Sequence, residues 1–107
     1  MSHISFSEFL NESRSYHSVL DLLMTSGVKP ISANGKNWAK IDSRDVDKVR
    51  ELLKKFGYVL QKRISNDTVV YVNDDSGFYI TSVDDSYSSF VIEMLNAADL
   101  RRYAKSA

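Results

Sequence analysis

The chain has no cysteine, a single proline and only four glycines among its 107 residues. Without thiols it can form no disulfide framework, cysteine nucleophile or cysteine-ligated zinc or iron–sulfur centre. Gly27, Gly35, Gly57 and Gly77 stand apart from one another, so no glycine-rich loop is available to cradle a phosphate. No serine lies in the G-x-S-x-G context that exposes a nucleophile. Apolar runs of membrane-spanning length are lacking, and the opening residues have neither the basic start nor the continuous apolar core of a secretory signal. A surplus of either charge is missing too, since 14 Lys and Arg balance 14 Asp and Glu. What is present suits one small α+β domain with a modest core.

Charge cancels in sum but not along the chain. Lys29 to Arg63 holds ten bases against four acids, whereas Ser65 to Asp99 holds seven acids and no base. Arg44, Lys48, Arg50, Lys54, Lys55, Lys62 and Arg63 form a candidate nucleic-acid patch. Asp67, Asp74, Asp75, Asp84 and Asp85 form a candidate surface for a basic partner, or one that imitates DNA. The blander alternative is that the two runs face each other or are separately solvated.

Hydrophobic spacing and turn chemistry set the expected elements. Ser5 to Asn11 predicts a short helix, with Ser5 and Glu8 at capping-box spacing and Phe6, Phe9 and Leu10 in one apolar stripe. It is too short to be stable alone in water, so it must dock on something. A second helix is expected over Ser15–Ser26, burying Tyr16, Val19, Leu20, Leu22 and Leu23, with Gly27 closing it. "VKPISANGK" reads as a surface loop with an Asn34-Gly35 turn, and "NWAKI" as a short strand or edge segment. The clearest helix begins after Asp42 or Ser43. It places Val46, Val49, Leu52, Leu53 and Phe56 on one face, acids in its first turn, bases in its last, and Gly57 at its end. Three strands follow, "YVLQKRI", "TVVYV" and "FYITS", with gaps short enough for an antiparallel meander. A final helix is expected from Ser86 or Ser88, carrying Phe90, Val91, Met94, Leu95 and Ala98 on one side. The expected fold is therefore α+β: N-terminal helices, then an α-β-β-β-α unit with helices on one face of a small antiparallel sheet.

Side chains suited to chemistry are sparse. No carboxylate stands at metal-ligand spacing from His3 or His17, which read as surface histidines. In "NDDSG" the acids are consecutive rather than alternating and no distal glutamate follows, so a hairpin turn is favoured over a calcium loop there and in "VDDS". Tyr58, Tyr71 and Tyr79 fall on strands, where some RNA readers stack bases, but the aromatic signature of those modules is absent and packing is the favoured role. Trp38 reads as an anchor between loop and core. No catalytic, metal or cofactor residue is assigned, and the chain reads as a non-enzyme.

Two resemblances add to this reading. "VRELLKKFGYVLQKRISNDTVVYVNDDSGFYI" with "VIEMLNAADL" resembles the layout of HicA-type messenger-RNA interferase toxins, which share the α-β-β-β-α order of double-stranded-RNA-binding domains. That family cleaves RNA with a histidine on or near its sheet. None occurs here between Tyr58 and Ser82, so the resemblance implies at most the fold and no catalytic residue. "FSEFLNES" is similar to the leader of internal head proteins of T4-like bacteriophages, of the form F-x-E-F-[IL]-x-E. In that family the leader directs the protein into the assembling prohead and is cut after the glutamate by the head protease. Carried over, the leader residues are Phe6, Glu8, Phe9, Leu10 and Glu12, with Ser13 as the first mature residue; the start "MSHIS" departs from the Met-Lys-Thr usual there.

The expectation is thus a leader or docking helix at residues 1–12 and one α+β domain at 13–107. The chain would be a phage binding protein without cofactor, carried in the virion interior and then acting in the host cytoplasm on a nuclease or defence protein. A nucleic-acid-binding or toxin-like cytoplasmic module, and an acidic DNA mimic, are the alternatives. The phage scaffold is the partner the leader implies, and no membrane partner is expected.

Overall fold

The computed structural model describes residues 16–83 and 88–105, the last two by their backbone alone. The helix expected at Ser5–Asn11, the leader residues, His3, Asp84 and Asp85 lie outside the described residues.

Helix α1 spans Val19–Ser26. It starts at Val19 because Ser18, in extended conformation, caps it, its Oγ accepting the Asp21 N–H at 3.0 Å. Gly27 closes it at φ 72°, a left-handed conformation that costs glycine little. Tyr16 precedes the helix rather than belonging to it, and is fully buried. Next come strands β1, Ser32–Ala33, and β2, Trp38–Asp42, paired around the Asn34-Gly35 turn. A 3-10 turn at Ser43–Asp45 leads into α2, Val46–Lys55, which buries Val46, Val49 and Leu53 and stops at Phe56 and Gly57. The meander β3 (Val59–Arg63), β4 (Thr68–Val72) and β5 (Gly77–Ser82) then runs into a further strand, β6 (Ser89–Met94). Helix α3, Ala97–Lys105, follows.

All six strands form one antiparallel sheet in the order β1-β2-β6-β5-β4-β3. The chain leaves β2, crosses the sheet through α2 to the far edge at β3, and returns strand by strand until β6 lies against β2. The α+β class is as expected, but three details differ. "SFVIEM" is a central strand, not the start of the final helix. The helical stripe Phe90–Val91–Met94 leaves out Ile92, which is fully buried between β2 and β5. Phe90, Ile92 and Met94 alternate inward with period two, and the β-branched pair Val91–Ile92 suits the pleat. Consequently the order is α-β-β-β-β-α after β2, and the likeness to the HicA-type layout does not extend to its C-terminal half. Lastly, β2 is an interior strand, and helices lie on both faces of the sheet.

The main core sits under α1 and α2. It joins Tyr16, Val19, Leu22 and Leu23 to Val49, Leu53 and Phe56, and to Ile41, Tyr71, Phe78 and Ile92 on the sheet. A smaller cluster on the second face packs Tyr103 and Leu100 of α3 on Val70, Val72 and Tyr79, with Leu95 at its edge. α3 therefore lies chiefly over the β3–β4 side of that face, and among the described residues no helix packs comparably on β2 and β6 there.

Candidate functional site

The uncovered half of the second face is the candidate site. In β2 the inward residues are Ala39 and Ile41, both fully buried, so Trp38 and Lys40 point to the opposite face, half-buried. Cross-strand partners share a face, which extends this assignment over the sheet. Trp38 is opposite Glu93 of β6, Glu93 is opposite Tyr79 of β5, and Tyr79 is opposite Val70 of β4. The next row runs Lys40, Val91, Thr81, Thr68, with the last two hydroxyls 3.1 Å apart. An exposed carboxylate, Glu93, is thus flanked on one row by an indole and a phenol. Adjacent strands are about 4.8 Å apart, so the backbones of Trp38 and Tyr79 lie about 10 Å from each other, with Glu93 between them.

Tyr79 is held in place by α3. Its hydroxyl donates to Asp99 Oδ2 at 2.9 Å, and its ring meets Tyr103 edge-on with centroids 6.2 Å apart. Burial, then the Asp99 and Tyr103 contacts, push its ionisation well above the ordinary range. The phenol is therefore held neutral, with its hydroxyl donating to Asp99. The row therefore sets one exposed carboxylate between two aromatic residues on the same sheet face. Glu93 lay in the acidic half of the sequence without being singled out. The signal that finds it is the alternation of "SFVIEM", in which the glutamate takes an outward position between two inward apolar residues.

The sequence-predicted residues are distributed differently. Trp38 belongs to neither buried cluster, so it is not the loop-to-core anchor expected. Tyr58 and Tyr71 are buried and cannot stack bases. Tyr58 instead accepts the Tyr16 backbone N–H at 2.9 Å and shares a hydrogen bond with Ser76 Oγ; burial raises its ionisation, and these hydrogen bonds oppose the rise. His17 is exposed. Among the described residues no three His, Cys, Asp or Glu side chains gather as a metal site, and no helix is long and apolar enough to cross a membrane.

The basic patch is divided. Arg44, Lys48 and Arg50 lie 3.7, 3.8 and 3.9 Å from Asp42, Asp45 and Asp47, and Lys55 Nζ sits 5.9 Å from the Phe56 ring centroid. Asp42 to Lys55 carries five bases against four acids, so the helix offers almost no net field. Lys62 and Arg63, as neighbours in a strand, point to opposite faces, and the register shift of β3 on β4 between Leu60 and Lys62 sets which face each takes. Lys62 is then opposite Val70 on the α3 face, and Arg63 opposite Val69 on the α2 face. The acidic set is divided as well. Asp67 precedes β4 and Asp74 and Asp75 follow it, at opposite ends of a five-residue strand about 17 Å long. Asn73 Oδ1 caps the second turn, accepting the Asp75 and Ser76 N–H groups at 2.8 and 2.9 Å, as a hairpin turn requires.

Comparison with family models, with characterised proteins and with solved structures returns no match for this chain. The fold and site define it by class alone: an α+β protein with a six-stranded antiparallel sheet and, among the described residues, one face only half covered.

Proposed function

We propose that this chain is a non-enzymatic binding protein of phage origin, packaged in the head through its leader and directed against a host nuclease or defence protein. The observation that carries the binding role is the Trp38–Glu93–Tyr79 row on the uncovered sheet face. A lysine or arginine of the partner inserts between the two rings over Glu93, with Val91 and the stem of Lys40 supplying apolar contact around it. Nuclease surfaces that grip a phosphate backbone are basic, so an exposed carboxylate flanked by aromatics suits such a partner. The leader "FSEFLNES" supports the route into the virion.

Two measurements test the two halves of this reading. Mass spectrometry of protein from intact virions is expected to show a chain starting at Ser13; a full-length chain there would remove the leader. The partner recovered from host extract is expected to bind the wild type and to lose at least tenfold in affinity with Glu93→Lys or Trp38→Ala. Unchanged binding by both variants would remove the sheet face as the interface. The nucleic-acid reading loses support from the division of the basic patch.

A further inference from the structure

On the opposite face of the sheet, independently of that reading, lies a recess of about 170 Å³ at the end where β3 stops and β6 begins. Its floor is apolar, made by Val69, Ile80 and Phe90. Arg50 reaches it from α2 and Arg63 from the end of β3, brought to this face by the bulge before Lys62. Arg50 Nε is buried and donates to no acceptor among the described residues. Its only ion pair there is the 3.9 Å contact with Asp47, whose side chain is 83% exposed, so solvent screens it. Arg63 forms no ion pair among the described residues. The Asn66 amide and the Ser82 hydroxyl complete the polar wall.

We infer that this recess is a binding site for a monocarboxylate carried on a small apolar body. Two guanidiniums present the planar donor geometry that grips a carboxylate in pairs of hydrogen bonds. Asp67 also lines the recess, so among the described residues its charge is two bases against one acid, and a single negative charge is matched. A phosphate dianion would exceed that charge and meet an apolar floor where it needs donors. The volume holds a group about the size of benzoate, with the ring on Phe90 and Ile80 and the carboxylate turned toward the guanidiniums of Arg50 and Arg63. The carboxylate can belong to a free small acid or to the C-terminus of a peptide ending in an apolar residue.

The test is a nitrogen–proton correlation titration of the full chain, read at the Arg50 Nε–H signal. Sodium benzoate, N-acetyl-leucine, N-acetyl-leucinamide and inorganic phosphate are added separately at constant ionic strength. Benzoate or N-acetyl-leucine is expected to move that signal saturably, while the uncharged amide leaves it in place. Tighter binding of N-acetyl-leucine identifies a peptide terminus as the source, and tighter binding of benzoate a free acid. Arg63→Gln, at an exposed position that leaves the core intact, is expected to weaken binding at least tenfold; Lys62→Gln, one residue away on the other face, is expected to leave it unchanged. No saturable shift with either carboxylate, phosphate binding more tightly than both, or equal loss in the two variants would overturn the assignment.

Discussion

The hydroxyl of Tyr58 joins three stretches that are far apart in sequence. It accepts the N–H of Tyr16 ahead of α1, pairs with Ser76 in the β4–β5 turn, and stands at the entry to β3. Its ring stacks near Tyr16 at 6.4 Å and leans on Phe78 at 5.7 Å, so the oxygen is fixed by packing as well as by polar contacts. Tyr58→Phe keeps the ring but withdraws one buried polar partner from each of its neighbours. It is expected to cost about 1–3 kcal/mol, measured as a lower urea midpoint with unchanged slope. The same group sets an alkaline limit. Burial raises the folded hydroxyl above 10.0, whereas the unfolded one ionises there. Stability from this group is therefore level below pH 10 and declines as pH rises toward the folded value. In Tyr58→Phe that part of the alkaline decline is expected to disappear, and a decline of equal steepness in both proteins would argue against it. That Tyr58 packs rather than stacks bases was legible from the absent aromatic signature of RNA-reading modules. Its partners were not, because Tyr16 and Ser76 are 42 and 18 residues away.

Among the elements, α2 was the most legible because everything that defines it lies within its own turns. Its apolar spacing, acidic first turn, basic last turn and terminal glycine all depend on neighbours three or four residues away. The hairpin turns were legible for the same reason. β6 was not, since Phe90, Val91 and Met94 satisfy a helical stripe as well as a strand pattern; only a slot between β2 and β5, filled by Ile92, decides between them. The start of β5 shows how tightly the strands meet. A Cβ on Gly77 would fall 2.8 Å from Val72 Cγ1, 3.0 Å from the Tyr71 carbonyl oxygen and 3.1 Å from Leu95 Cδ2. Gly77→Ala is expected to destabilise the fold by about 1–3 kcal/mol, read in urea unfolding, because a carbonyl in the strand ladder cannot yield as a side-chain end can. A neutral result would mean that Val72 and Leu95 repack without loss.

At the scale of the whole molecule, polarity along the sequence does not become polarity across the surface. Of the ten bases of Lys29–Arg63, four lie on a helix that carries its own acids, two on opposite faces of an edge strand, and Lys29, Lys36, Lys40 and Arg44 on loops, β2 and the 3-10 turn. Nucleic-acid binding through phosphates needs bases on one surface, each releasing counterions. Fluorescence anisotropy with labelled duplex DNA and single-stranded RNA is expected to show no saturable binding at 150 mM salt, a concentration at which about half a dozen aligned phosphate contacts would still register. Tight binding that falls steeply with salt would restore the nucleic-acid reading. The chemistry instead gathers where distant strands meet: Trp38, Glu93 and Tyr79 on one face, Arg50 and Arg63 on the other.

The sequence by itself determined the α+β class, the two described N-terminal and central helices, the β3–β5 meander and the turns between strands. Those features follow from interactions within a few residues, which periodicity and capping residues record directly. It also holds the leader-like opening, which stands on residue identity alone. Only the tertiary structure decided that Ser89–Met94 is a central strand, that helices take both faces, and which charged and aromatic side chains share a surface. The physical reason is that the pairing of β2 with β6, about 4.8 Å apart, joins segments far apart in sequence, and the bulge at Gln61 sets which face Lys62 and Arg63 each take.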